Sequence, residues 1–209
     1  MTDGPGHDRS LIEWASAGMA LGGDHNESGD LHLIARFPDG ALTAVMDGLG
    51  HGPEAASASR QAARILEAGA GKPVMALVQQ CHDALRRTRG VVMSLASFNA
   101  VNAEMTWIGI GNVETVLLRA DPSASRRREA INGRGGVVGY QLPPLRATAL
   151  PVSRGDTLIM ATDGIRAAFT SDLSTAPTPQ ELADSIMTRH CRGSDDGLVL
   201  VVRYVRSTP

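Results

Sequence analysis

Leu31-His-Leu-Ile-Ala-Arg-Phe-Pro-Asp-Gly-Ala-Leu-Thr-Ala-Val-Met-Asp-Gly-Leu-Gly-His-Gly52 is the stretch that decides how this chain folds. Two apolar runs, 31–37 and 41–46, flank Pro38-Asp39-Gly40, where proline presets the first corner of a tight turn and Asp-Gly tolerates the second. That is a hairpin. If residues 37 and 40 flank the turn, Asp30 falls opposite Asp47 at the open end, and a slip of one turn residue still leaves them close. The second strand then ends in Asp47-Gly-Leu-Gly-His-Gly52, a carboxylate followed by a glycine-rich loop.

Outward from the hairpin, 11–21 reads as a preceding strand. Two helices follow it, an Ala-rich one at 53–68 and one at 73–88. The second places Val74, Leu77, Val78, Cys81 and Leu85 on one buried face. From 91 the period shortens, and 91–100, 104–110, 113–119, 145–152 and 156–162 read as antiparallel strands. A last helix at 178–191 opens on the capping sequence Thr178-Pro-Gln-Glu181, and the closing strand is 197–205. Residues 120–140, with Arg126-Arg-Arg128 and glycines from Gly133 to Gly139, read as a surface hairpin or loop. The order of elements gives an α+β fold, two antiparallel sheets face to face with helices outside. Residues 1–10 are expected to be a flexible N-terminus and 11–209 a single domain.

Composition narrows the function. The chain has 209 residues, 43% apolar, with a formal net charge of −2, enough to bury a core and too balanced for a dedicated nucleic-acid binder. Cys81 and Cys191 lie far apart in helical stretches, which argues against a disulfide framework and fits a reducing cytoplasm. The first residues lack the apolar run of a signal peptide, and no later run is long enough to span a bilayer. A cytoplasmic monomer is expected, with no nucleic-acid or membrane partner.

The chemistry sits in aspartates at strand ends beside glycine: Asp47-Gly48, Ala161-Thr-Asp163-Gly164 and Ser194-Asp195-Asp196-Gly197. In an antiparallel sheet the end of one strand lies beside the start of its neighbour, so these can converge on one rim, with Asp30 as a fourth. Such a rim repels itself unless cations neutralise it. An all-oxygen shell selects hard ions, Mn²⁺ or Mg²⁺, and two of them would activate a water and clamp a phosphoryl oxygen. Gly48 would let a backbone carbonyl approach one ion. Any single Asp-Gly is more often a turn; the weight lies in their joint occurrence. Successive side chains of an extended segment point opposite ways, so Asp195 and Asp196 are not expected to share the rim.

The order Glu27-Ser-Gly-Asp30, Val45-Met-Asp47-Gly-Leu-Gly-His-Gly52, Ala161-Thr-Asp163-Gly164 and Asp195-Asp196-Gly-Leu-Val-Leu-Val resembles the metal-dependent protein phosphatases (PPM, or type 2C) in their bacterial SpoIIE-like branch. The likeness spans about 10–205. Gly109-Ile-Gly-Asn112-Val-Glu and Gly136-Val-Val-Gly-Tyr140-Gln-Leu-Pro look most like the stressosome phosphatases of that branch. The resemblance implies a four-layer α-β-β-α sandwich and two bound ions. It makes Asp47 the bridge, gives Asp30 and the Gly48 carbonyl to the second ion, and gives Asp163 with Asp195 to the first. It selects Asp195 over Asp196, which would turn away and bond the local backbone. Eukaryotic members carry a histidine directly after Asp-Gly; here Leu49 stands there, so His51 reads first as a loop residue and second as a general acid.

The implied activity is a serine/threonine protein phosphatase acting on a phosphorylated STAS-domain regulator by direct attack of water. The alternatives are a phosphatase of an anti-anti-sigma factor, or a non-catalytic scaffold of the same fold. Three further motifs carry no function. Cys81 and Arg87 have the spacing of cysteine phosphatases but sit in a helix. Gly69-Ala-Gly-Lys72 lacks the first glycine of a P-loop, and Gly109-Ile-Gly-Asn112 reads as a tight turn, which the family resemblance places near the active face. Arg86-Arg-Thr-Arg89 and Arg126-Arg-Arg128 read as solvated faces.

Overall fold

The hairpin forms as its sequence dictates. In the computed structural model, which describes residues 11–21, 27–124 and 126–206, β2 (Asp30–Phe37) pairs with β3 (Gly40–Gly48), Phe37 opposite Gly40 and Asp30 opposite Asp47. Pro38 and Asp39 make the turn, with Asp39 at φ 59, a left-handed conformation that a short polar side chain tolerates. The expected flexible segment 1–10 lies outside the described residues.

The chain continues through α1 (Pro53–Ala68), α2 (Val74–Leu85), β4 (Val91–Asn99), β5 (Glu104–Ile110), β6 (Glu114–Leu118), β7 (Arg128–Ala130), β8 (Thr148–Pro151), β9 (Thr157–Ala161), α3 (Pro179–His190) and β10 (Gly197–Tyr204), with β1 (Ile12–Met19) before the hairpin. One sheet has the order β2-β3-β4-β5-β8 and the other β1-β10-β9-β6-β7; every pairing between these strands is antiparallel. Thr178 and Glu181 form the expected reciprocal capping box at the start of α3.

Period-2 alternation sorts the side chains into three cores, and three cores make four layers. Leu42, Ala44 and Met46 of β3 point outward onto Leu66, Leu77, Val78, Cys81 and Leu85 of α1 and α2. Ala41 and Val45, on the opposite face, meet Leu158, Met160, Leu198, Leu200 and Val202 of the other sheet. Ile159, Ala161, Val199 and Val201 face Leu182, Ala183 and Ile186 of α3. Cys81 is buried, as its helical spacing required, and burial pushes its thiol up to about 12. Cys191 lies just past the end of α3 and, like Cys81, is a free thiol.

Two segments depart from the reading of the sequence. Ala167–Asp172 forms a short 3-10 helix that buries Phe169. Within 120–140 the hairpin is present, β7 pairing with β6, and Arg134 and Gly135 are exposed, but the segment turns inward at Val138 and Gly139. Val138 is fully buried and exchanges both backbone hydrogen bonds with Val91, at 2.9 and 3.0 Å. The partners of this segment lie far away in sequence, so no local period betrays them.

Candidate metal centre

Alternation also decides where the aspartates go. Asp47 shares the inter-sheet face with Val45, and Asp30 shares it with Ile34, so both enter the end of the sandwich rather than solvent. The Gly48 N–H donates to Gly29 O at 3.1 Å, which makes Asp30 and Asp47 a non-hydrogen-bonded pair, the kind whose side chains lie closest. Gly48 itself is required by packing: a Cβ there would run into the Ala55 carbonyl in the first turn of α1.

Strands of the other sheet supply the rest. Thr162, continuing the inter-sheet face of Leu158 and Met160, donates its hydroxyl to Asp30 Oδ2 at 2.7 Å. Asp163 follows, and Asn112 Nδ2 donates to its Oδ2 at 2.9 Å. Asp30, Asp47, Asp163, Asp195 and Asp196 all line one cavity of about 520 Å³, with His51 exposed at its lip.

Asp195 and Asp196 correct the expectation of opposite faces. Both line the cavity, because 193–195 precede β10 as bends, with Gly193 at φ 69, so strand alternation does not reach Asp195. Asp196 does not bond the local backbone. It is buried, and its two oxygens accept the N–H groups of Leu21 and Gly29, each at 2.7 Å, so it pins the approach to Asp30 from residues distant in sequence. The parity of Leu198, Leu200 and Val202, extended by one step, was the signal that would have placed Asp196 inside.

A wall of glycine closes another side. Gly135, Gly136 and Val137 line the cavity, held by Arg134 N–H to Gly109 O at 3.0 Å and Gly111 N–H to Arg134 O at 2.8 Å. Gly139 N–H donates to buried His82 Nδ1 at 3.0 Å, tying the same segment to α2. Gly111 and Asn112 line the cavity, on the face where the resemblance put Gly109-Ile-Gly-Asn112; the Asn112–Asp163 bond and the wall were not read from the sequence.

The electrostatics of the pair are severe. Burial, then the Asp30 carboxylate, then Asp163 and its neighbours push Asp47 up to about 8. Burial raises Asp30 to about 7 despite the opposing Thr162 hydrogen bond, with Asp196, Asp163 and Asp195 adding repulsion. Among the described residues no three carboxylate, imidazole or thiolate groups close on a single point. The donor set nonetheless fits hard divalent cations: five carboxylates in one cavity, with no thiolate lining it.

Comparison with known proteins places the chain in a class of protein. It matches the family Stage II sporulation protein E (SpoIIE) over residues 38–205, and it belongs to that family as a PP2C-type phosphatase domain. Among relatives, it is 24% identical over 169 residues to phosphoserine phosphatase RsbX of Bacillus subtilis (strain 168), covering 80% of this chain and 83% of that one. The crystal structure of RsbX in complex with magnesium superposes with a TM-score of 0.82 at 20% identity, covering 94% of this chain and 97% of that one. A solved chain described with the bacterial stressosome, as a modular system adapted to control secondary messenger signaling, gives a TM-score of 0.81 at 28% identity, covering 92% and 99%.

Proposed function

We propose that the protein is a metal-dependent serine/threonine phosphatase that removes phosphate from a STAS-domain regulator, acting in the cytoplasm as a monomer. The observation that carries this reading is the Asp30–Asp47 pair: two half-buried carboxylates facing each other across a hairpin, raised to about 7 and 8, with no cationic side chain against either among the described residues. Positive charge must come from outside the chain to keep both ionised, and two divalent ions would supply it while activating water and clamping a phosphoryl oxygen. No helix among the described residues is long and apolar enough to cross a membrane.

The roles of the side chains follow from their partners. Asp47 and Asp30 would hold the cations, with the Gly48 carbonyl as a further oxygen donor; Asp163 and Asp195 would complete the set from the other sheet. The Thr162 hydroxyl and the Asn112 amide fix the orientation of Asp30 and Asp163. His51, exposed at the lip, is placed to hand a proton to the departing serine or threonine oxygen. RsbX is named as a phosphoserine phosphatase, and the stressosome chain is a fold neighbour; these support the assignment of substrate class.

The test is phosphate release from a phosphorylated STAS-domain protein. Activity should vanish in chelator and return with Mn²⁺ or Mg²⁺ but not with Zn²⁺ alone, since the donors are all oxygen. Undiminished turnover after exhaustive chelation would refute the reading. If His51 is the acid, His51→Ala loses the basic limb of the pH–rate profile while Mn²⁺ affinity is kept.

A further inference from the structure

The turn between α2 and β4 carries Arg86, Arg87 and Arg89, and the fold brings it to the mouth of the aspartate cavity. Leu49 N–H donates to Gly90 O at 3.1 Å, and Gly90 N–H donates to Thr88 Oγ1 at 3.0 Å, so the turn is fastened to the loop that leaves Asp47. From there the Arg89 side chain crosses the loop at Gly50, which lines the cavity. A Cβ on Gly50 would sit 2.7 Å from Arg89 Nη1, so glycine leaves the room in which the guanidinium approaches the loop. Arg89 Nε donates to Glu54 Oε2 at 2.6 Å, with both side chains more than half exposed. Arg86 pairs loosely with Asp83 at 3.4 Å, and Arg87 is exposed with no acidic partner among the described residues.

This lip stands outside the cavity, where a phosphate would already be held, and meets whatever flanks that phosphate. We propose that the lip selects phosphoprotein substrates bearing an acidic side chain beside the phosphorylated residue, Arg89 being the specificity-determining contact. Glu54 is the stand-in for that substrate carboxylate. An exposed Arg–Glu pair contributes little stability, so the exchange of one carboxylate for another costs little. A half-exposed guanidinium whose one acidic partner is itself exposed can exchange that carboxylate for another and present the fork geometry a carboxylate fits. The arginines also oppose the charge of the acidic pit, which would otherwise repel an acidic substrate on approach.

The inference rests on the phosphatase reading, and one experiment separates their failures. Two phosphoserine peptides, identical but for glutamates or glutamines flanking the phosphoserine, are assayed with wild-type protein, Arg89→Gln, Arg89→Glu and Arg89→Lys in Mn²⁺, and binding of the labelled peptides is followed by fluorescence anisotropy. Wild type should prefer the acidic peptide. Arg89→Gln should cut the preference by about 3- to 10-fold, chiefly through KM, Arg89→Glu should reverse it, and Arg89→Lys should restore part of it. No Mn²⁺-dependent release from either peptide by wild type overturns the phosphatase reading, and the inference with it. Turnover with an unchanged preference in Arg89→Glu overturns the inference alone.

Discussion

Asp156, just before β9, is 3% exposed and fully provided for: the N–H groups of Ala120 and Ser153 donate to it at 2.8 and 3.1 Å, and Arg119 Nη1 at 2.9 Å. Past the other end of the same strand, Thr162 faces Asp30, and across the hairpin lies Asp47. These carboxylates are also largely buried, yet one hydroxyl is all that Asp30 receives, and Asp47 accepts no hydrogen bond among the described residues. Burial alone therefore does not distinguish architecture from chemistry. A buried carboxylate surrounded by donors holds segments together; one surrounded by other carboxylates is built for a partner that is not part of the chain.

The largest effect should come from the unprovided end. Asp47→Asn should lower metal-dependent phosphate release by more than about 10³-fold while the metal-free protein stays folded, because removing one charge relieves repulsion. Unfolding of that variant, followed by circular dichroism, would make Asp47 a structural residue like Asp156. The provided end should behave in the opposite way. Asp156→Asn should cost about 3 kcal/mol in urea unfolding, since Arg119 loses a buried partner, with turnover per folded molecule kept. A large kinetic loss there would break the contrast.

Asp195 and Asp196 sharpen it within the site. Asp196→Asn keeps one oxygen for two N–H donors and should cost about 1–2 kcal/mol of stability. Asp195→Asn should leave stability alone and weaken Mn²⁺ binding more, read by calorimetric titration. The reverse order would exchange their roles.

The smallest effect is a slope. Asp30 and Asp47, near 7 and 8 when folded against 3.8 as ordinary carboxyls, bind more protons in the native than in the unfolded protein between those values. Metal-free stability is thus greatest at the acid side of that window and is lost as pH rises through 7 and 8. Urea midpoints measured in chelator should fall from pH 5 to pH 8, by at least about 1 kcal/mol in free energy, and Asp47→Asn should flatten the fall.

What was legible in the sequence was local or periodic. The opposition of Asp30 and Asp47 follows from a two-residue turn seven positions away, and the buried face of α2 follows from helical spacing. The partners of Asp196 were not legible, because Leu21 and Gly29 lie at the far end of the chain. The glycine wall at 135–137 was missed for the same reason: its hydrogen bonds reach Gly109, Gly111 and Val91, and glycine has no hydropathy pattern to read. Alternation ruled out that Asp195 and Asp196 share the rim, and resemblance chose Asp195; both line the cavity because the segment before β10 bends, which alternation does not describe.

The sheet orders impose a schedule on synthesis. Strands β2 to β5 form an up-and-down run of neighbours in sequence, so Asp30 and Asp47 can face each other while later residues are still being translated. The other sheet joins Ile12 to Tyr204 and places β10 between β1 and β9, so it cannot close before β10 exists. Pairings that distant are slow to find. The acidic hairpin therefore waits, half a site, for the strand that brings Asp195 and Asp196. If these carboxylates hold cations as proposed, the capacity to capture the ions arrives together with the finished fold.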